Sequence, residues 1–152
     1  MAMTGIRAIL RRFIRAPQRR QVAAAVPVRP HAAGGLEFLL VRTVDGVRWT
    51  FPKGGRERGE TLAEAAAREA IEEAGAAGRV GAEPITAYRY GTDTIAAFLL
   101  EVGHTSAPLE PERDPTWCGF EDARSKLAER RDAASGEELE RVLHAAVRAA
   151  VR

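Results

Sequence analysis

Cysteine is almost absent from this chain. Cys118 is the only one, so no intrachain disulfide can form, and a zinc site of the C-x-x-C type is excluded. No run of 18 apolar residues occurs, which excludes a membrane-spanning helix. Lysine is nearly as scarce, with Lys53 and Lys126 the only two among 23 basic side chains. Aromatic residues make up 6%, and none except Phe13 interleaves the arginines of the N-terminal arm. A nucleic-acid partner is therefore not expected. What remains is a globular composition, 45% hydrophobic and 29% charged over 152 residues. That is enough for one domain with its own core.

The net charge of +2 conceals a division. Residues 1–36 hold seven Arg and no acid, whereas residues 37–152 hold 16 basic and 21 acidic side chains. A basic arm precedes an acidic body. Within the arm, Ile6, Ile9, Leu10, Phe13 and Ile14 recur at the helical period, and Pro17 ends the pattern. Residues 1–18 therefore read as a basic amphipathic helix appended to a domain over 19–152. Its leading expected role is docking on that domain or on a second copy in a homodimer, with membrane-surface contact the lesser alternative. The expected location is cytoplasmic.

Along the body, the Val- and Ala-rich 21–28 and the apolar 36–43 read as strands. Between and after them lie a turn at 31–35 and the Asp45-Gly46 turn signal. A short strand is expected over 47–51, then a Gly-rich loop over 52–59. Segments 80–91 and 94–102 read as two further strands, the second nearly all apolar and hence central. Helices are expected over 120–131 and from a capping-box form at Ser135–Glu138 onward. The latter carries an apolar stripe at Leu139, Val142, Leu143, Ala146 and Val147.

The strongest helix signal lies over 62–74. Thr61-Leu62-Ala63-Glu64 has the capping-box form, and Gly75 supplies the stop. At about 100° per residue, Glu69, Glu72 and Glu73 share one face. Ala63, Ala66, Ala67, Ala70, Ile71 and Ala74 share the neighbouring, packing face. Carboxylates at i, i+3 and i+4 repel one another unless something positive joins them. Clustered hard oxygens suit Mg2+ or Mn2+. Gly54-Gly55, just upstream, lets backbone approach a metal or phosphate closely. Glu60 can reach the same edge, and Lys53 and Arg56 offer cations to a phosphate chain.

Residues 54–76 fit the pattern G-x5-E-x7-R-E-U-x-E-E-x-G-U, where U is apolar. Gly54, Glu60, Arg68-Glu69, Glu72-Glu73 and Gly75 fill every fixed position, and Ala70 and Ala76 fill the U positions. The chain thus resembles the Nudix hydrolases. Trp49–Gly55 is similar to the family's strand entering the box, and Glu112 followed by Trp117 to its acidic loop and Trp strand. The resemblance implies an α/β fold, a Nudix-type α/β/α sandwich around a mixed β-sheet. It implies hydrolysis of a nucleoside diphosphate linked to a group X, with Mg2+ or Mn2+. It also implies Glu69 and Glu73 as main metal ligands, Glu72 as a ligand or its support, and the Lys53 carbonyl and Glu60 completing the set. Arg68 would orient a catalytic carboxylate. Glu69 is the first choice of general base and Glu112 the second.

The box does not encode X. The frame from Arg20 through the W-x-F-P-K-G-G lead-in resembles two groups, the diphosphoinositol polyphosphate phosphohydrolases, which it resembles most, and the diadenosine polyphosphate hydrolases. Both take phosphate-rich substrates, for which Arg20, Arg42, Arg48, Lys53, Arg56 and Arg89 are candidate contacts. Tyr90–Thr94 offers no basic cluster of the inositol type. Two alternatives stay open. One is a house-cleaning pyrophosphatase of oxidised or ordinary nucleoside triphosphates, and the other is a non-catalytic nucleotide-binding regulator.

Overall fold

The computed structural model describes residues 20–151. The amphipathic segment proposed over 1–18 lies outside them. The chain forms β1 (Val22–Pro30), β2 (Leu36–Arg42), β3 (Trp49–Thr50), β4 (Lys53–Gly55), α1 (Leu62–Ala74), β5 (Ala76–Val80), β6 (Thr86–Tyr90) and β7 (Asp93–Thr105). A 3-10 turn (Pro111–Arg113), β8 (Thr116–Gly119), α2 (Phe120–Ala128) and α3 (Ala133–Ala150) follow.

β1 and the long β7 are the axis of the sheet. They pair in parallel from Val22–Ile95 to Val28–Glu101, and every other pairing is antiparallel. The sheet is therefore mixed. The free edge of β1 is shared, with β4 along Val22–Ala24 and β2 along Val28–Pro30. β7 is shared likewise between β6 and β5. Such divided edges open the sheet at one end, beside the helix that follows β4.

Strand alternation divides the core in two. Ala23, Ala25, Leu39, Val41, Phe98 and Leu100 pack against α1. Ala24, Val26, Val28, Phe38 and Leu40 turn the other way, onto Leu127 of α2 and Leu139, Val142, Leu143 and Ala146 of α3. Helices cover both faces, giving the α/β/α sandwich. Alanine lines both sides of the α1 contact, so the helix lies close to the sheet. The small Ala70 and Ala76 at the apolar box positions are fully buried there.

Four local readings are corrected. Residues 53–55 are a strand on β1 rather than loop. The strand read over 80–91 is confined to β6 at Thr86–Tyr90, and β5 at Ala76–Val80, not read as a strand, pairs with a different length of β7. α3 starts earlier than Ser135. Asp132 is its N-cap, accepting from Ser135 N at 2.8 Å, and Glu138 turns instead to Arg89 N. On α1, Ile71 is 45% exposed and Glu73 takes the inward place. By contrast, the capping box between Thr61 and Glu64 is formed in both directions, and Gly75 ends α1 with φ 64°.

Candidate active site

The site is built on two peptide segments facing one helix. β4 pairs with β1 so that Ala23 and Gly54 lie opposite, and Ala25 N donates to Pro52 O. In an antiparallel ladder alternate peptide groups turn outward. Those of Lys53 and Gly55 are the outward ones, and α1 meets them. Lys53 N–H donates to Glu73 Oε2 at 2.9 Å, and Gly55 O accepts from Arg68 Nη2 at 3.0 Å. The Lys53 carbonyl turns toward the same side. Gly54 lets the Glu69 carboxylate lie where a Cβ would otherwise stand, so any larger residue there displaces it.

Arg68 gathers the carboxylates. It reaches Glu60 at 2.7 Å, Glu69 at 2.9 Å and Glu72 at 3.3 Å, with Glu57 further out at 3.8 Å. The Arg68 hydrogen bonds hold Glu60 well below the usual carboxylate range, at about 2, and in return raise Arg68. Glu69 moves the other way. Burial raises it, more strongly than Arg68 lowers it, and Glu72 and Glu110 add repulsion.

Glu73 sits one step deeper, at 1% exposure. Its Oε1 meets Arg113 Nη2 at 2.5 Å, while its Oε2 accepts from Lys53 N. Burial still dominates and pushes its carboxyl up to about 7. Arg113 also donates to Arg42 O at 2.8 Å and contacts Glu110 at 3.3 Å. It therefore ties the 3-10 turn to both β2 and the box helix.

Four hard carboxylates stand against one another with Arg68 and Arg113 as their only guanidinium partners among the described residues. Among those residues no three metal-ligating side chains already form a coordination cluster. Arg68 occupies one oxygen of Glu69, one of Glu72 and both of Glu60, and donors take both oxygens of Glu73. The donor set nevertheless fits a hard divalent cation. Glu60, Glu69 and Glu72 carry three negative charges around one guanidinium, with the outward carbonyl of Lys53 alongside.

The other expected residues divide by position. Arg20 lies over Gly55, and Arg56 Nε bonds Gln21 at 2.9 Å, so both flank β4. Lys53 Nζ stands 4.2 Å from the Tyr90 ring centre. Arg42 stacks on Trp49 at 3.9 Å. Arg48 Nε donates to Arg130 O at 2.9 Å, and Arg89 opens on a separate cavity with it. Glu112 is exposed on the 3-10 turn, and its carboxylate makes no ion pair among the described residues. Its neighbour Glu110 is the acid of that loop which acts on Glu69 and whose N–H donates to Glu72 O at 3.1 Å. Sequence reasoning missed Glu110 and Arg113. Only their place in a Pro-flanked charged turn hinted at them.

A model of the NUDIX domain matches residues 18–141. The chain belongs to the Nudix family. Among its relatives is Nudix hydrolase 4 of Arabidopsis thaliana, 32% identical over 120 residues, covering 69% of this chain and 58% of that protein. Another is the mitochondrial Nudix hydrolase 13 of the same plant, 30% identical over 104 residues, covering 58% and 52%. The chain thus spans little more than half the length of these relatives. Among solved structures it is similar to an Ap4A hydrolase of C. elegans in a binary complex. There the identity is 26%, the coverage 82% of this chain and 93% of that one, and the TM-score 0.63.

Proposed function

We propose that this Nudix domain is a divalent-metal-dependent pyrophosphohydrolase that cleaves a phosphoanhydride in a phosphate-rich substrate. The observation that carries this reading is the group Glu60, Glu69 and Glu72 drawn around Arg68 beside the outward backbone of Lys53. Mg2+ or Mn2+ held by Glu69 and Glu72, with the Lys53 carbonyl as a further oxygen and Glu60 joining where Arg68 yields one of its oxygens, would supply positive charge to the phosphates and acidify water. The protein's own part is positional. Arg68 fixes the three carboxylates, and Gly54 makes room for Glu69. Lys53 and Arg56 face the phosphate chain. Glu69 accepts the proton of the attacking water, as a carboxylate that Arg68 holds beside the metal position. Glu112, the alternative base, is the poorer choice because its exposed carboxylate is held by no ion pair among the described residues. Glu73 anchors β4 and Arg113, and any metal contact from it requires one of those donors to yield.

For the group X we favour a dinucleoside polyphosphate. The support is the likeness to the C. elegans Ap4A hydrolase, which extends over most of both chains. A diphosphoinositol substrate shares the same demand for cations. The test is phosphate release with Mg2+, and with EDTA, from diadenosine polyphosphates, diphosphoinositols, nucleoside triphosphates and ADP-ribose side by side. Metal-dependent turnover of the first or second class supports the reading. Preference for triphosphates points to a house-cleaning enzyme. No turnover of any substrate, with nucleotide binding intact, points to a regulator.

A further inference from the structure

A second feature of the chain is not used by the carboxylate site. A cavity of about 310 Å³ opens between the turn joining β6 to β7 and the loop joining α2 to α3. Arg48, Arg89, Arg130 and Arg131 line it, with Tyr90 on one side and Asp132 at the start of α3. None of the four arginines makes a salt bridge among the described residues. Asp132, the one acid of the wall, is committed to capping α3. Glu138, nearby on α3, is held by Arg141 and by Arg89 N.

Arg131 is half-buried in this wall. Its Nη1 donates to Leu127 O at 2.6 Å, but its Nη2 is buried with no hydrogen-bond partner. Burial pulls its pKa below the ordinary guanidinium value, the Arg48 charge acts the same way, and Tyr90 opposes both. A buried donor without an acceptor is costly, and like charges gathered at one wall repel. That repulsion is relieved by one kind of ligand, an anion with several oxygens.

The cavity lies next to the site, across the Tyr90 ring. Lys53 Nζ stands 4.2 Å from the centre of the Tyr90 ring, and Arg131 Cζ stands 6.0 Å from the same centre. Lys53 is the residue whose N–H holds Glu73. A single ring therefore separates the phosphate-facing side of the box from the arginine wall.

We propose that Arg48, Arg89, Arg130 and Arg131 form a distal anion subsite that takes phosphate groups of the substrate lying beyond the bond that is cut. This rests on the pyrophosphohydrolase reading and narrows it. The preferred substrates carry negative charge at two separated places, at the scissile anhydride and past Tyr90. A compound with a single diphosphate, such as ADP-ribose, reaches only the first.

The test is calorimetric titration of the full chain with inorganic tripolyphosphate in EDTA, at low and at moderate salt. The proteins compared are the wild type, the Arg89→Ala/Arg130→Ala double variant and Glu72→Gln. Arg89 and Arg130 are exposed, so the double variant is expected to fold, and its thermal unfolding checks this. The expected result is binding to the wild type that weakens with salt, weakens about tenfold or more in the double variant, and persists in Glu72→Gln. KM for a phosphate-rich substrate should rise in the double variant by more than kcat falls. No binding to the wild type, or equal affinity in the double variant, overturns the subsite. If no phosphoanhydride is cleaved but arginine-dependent binding is seen, the subsite stands and the hydrolase reading fails. If cleavage occurs while binding and KM ignore the two arginines, the hydrolase reading stands and the subsite is overturned.

Discussion

Removing the guanidinium of Arg68 should turn the box from a neutralised cluster into a self-repelling one. In Arg68→Met, Glu60, Glu69 and Glu72 lose the cation that joins them, and Gly55 O loses its donor. Taking one partner from a fully buried ion pair costs about 3–5 kcal/mol, while exposed pairs are worth about 1 kcal/mol or less. The Arg68 side chain is 23% exposed and its three partners 12–34%. That lies between the limits, so we expect about 2 kcal/mol in metal-free protein. For a domain of this size that lowers Tm by about 4–8 °C. Mg2+ should then recover more stability in the variant than in the wild type, because it replaces the missing charge without competing with Arg68. The effect should also shrink in acid. Glu60 has a folded pKa near 2, below its unfolded value, so its contribution is present above about pH 4.5 and fades as pH falls toward 2. That contribution is absent in the variant. Thermal unfolding of metal-free protein from pH 2 to 8, and with Mg2+ near neutral pH, reads all three effects. Equal Tm values in EDTA, or equal Mg2+ shifts in both proteins, would refute the reasoning.

Other perturbations separate the parts of the site. Gly54→Ala forces the Glu69 carboxylate aside. Turnover should fall about a hundredfold with binding of tripolyphosphate kept, and an unchanged kcat contradicts the close approach. Glu73 has a folded pKa near 7, above its unfolded value, so metal-free wild type should lose stability as pH rises from about 4.5 to 7 and level off above. The full span is worth at most about 3 kcal/mol, and Glu73→Gln should flatten the slope, which urea titration at several pH values would show. Thr61→Ala removes the cap of α1 and should cost about 1 kcal/mol with little change in kcat.

What was legible in the sequence was local. Thr61, Glu64 and Gly75 announce α1 because a cap and a stop are decided within one helical turn. The apolar runs of β1 and β2 announce strands because helix layers cover both of their faces. The carboxylates of α1 were legible as a group, but their directions were not. Glu73 turns inward because Lys53 N and Arg113, 20 and 40 residues away in sequence, supply its donors. Ile71 yields the inward place for the same reason. That β5 and β6 form as separate strands, at 76–80 and 86–90, depends on two lengths of β7 being available, which no window of residues records. Glu110 rather than Glu112 meets the site because the 3-10 turn is pinned through Arg113 to Arg42. The arginine wall was only half visible, since Arg130 and Arg131 join Arg48 and Arg89 through the fold alone.

The central claim is that the carboxylates around Arg68 cut a phosphoanhydride with a divalent metal. The most direct test is hydrolysis of diadenosine tetraphosphate by wild type, Glu69→Gln and Glu72→Gln, each with saturating Mg2+ and with EDTA. The account predicts turnover by wild type in Mg2+ only, and a loss of about a hundredfold or more in both variants while their unfolding remains cooperative. Wild-type turnover in either variant, or turnover that survives EDTA, would contradict it.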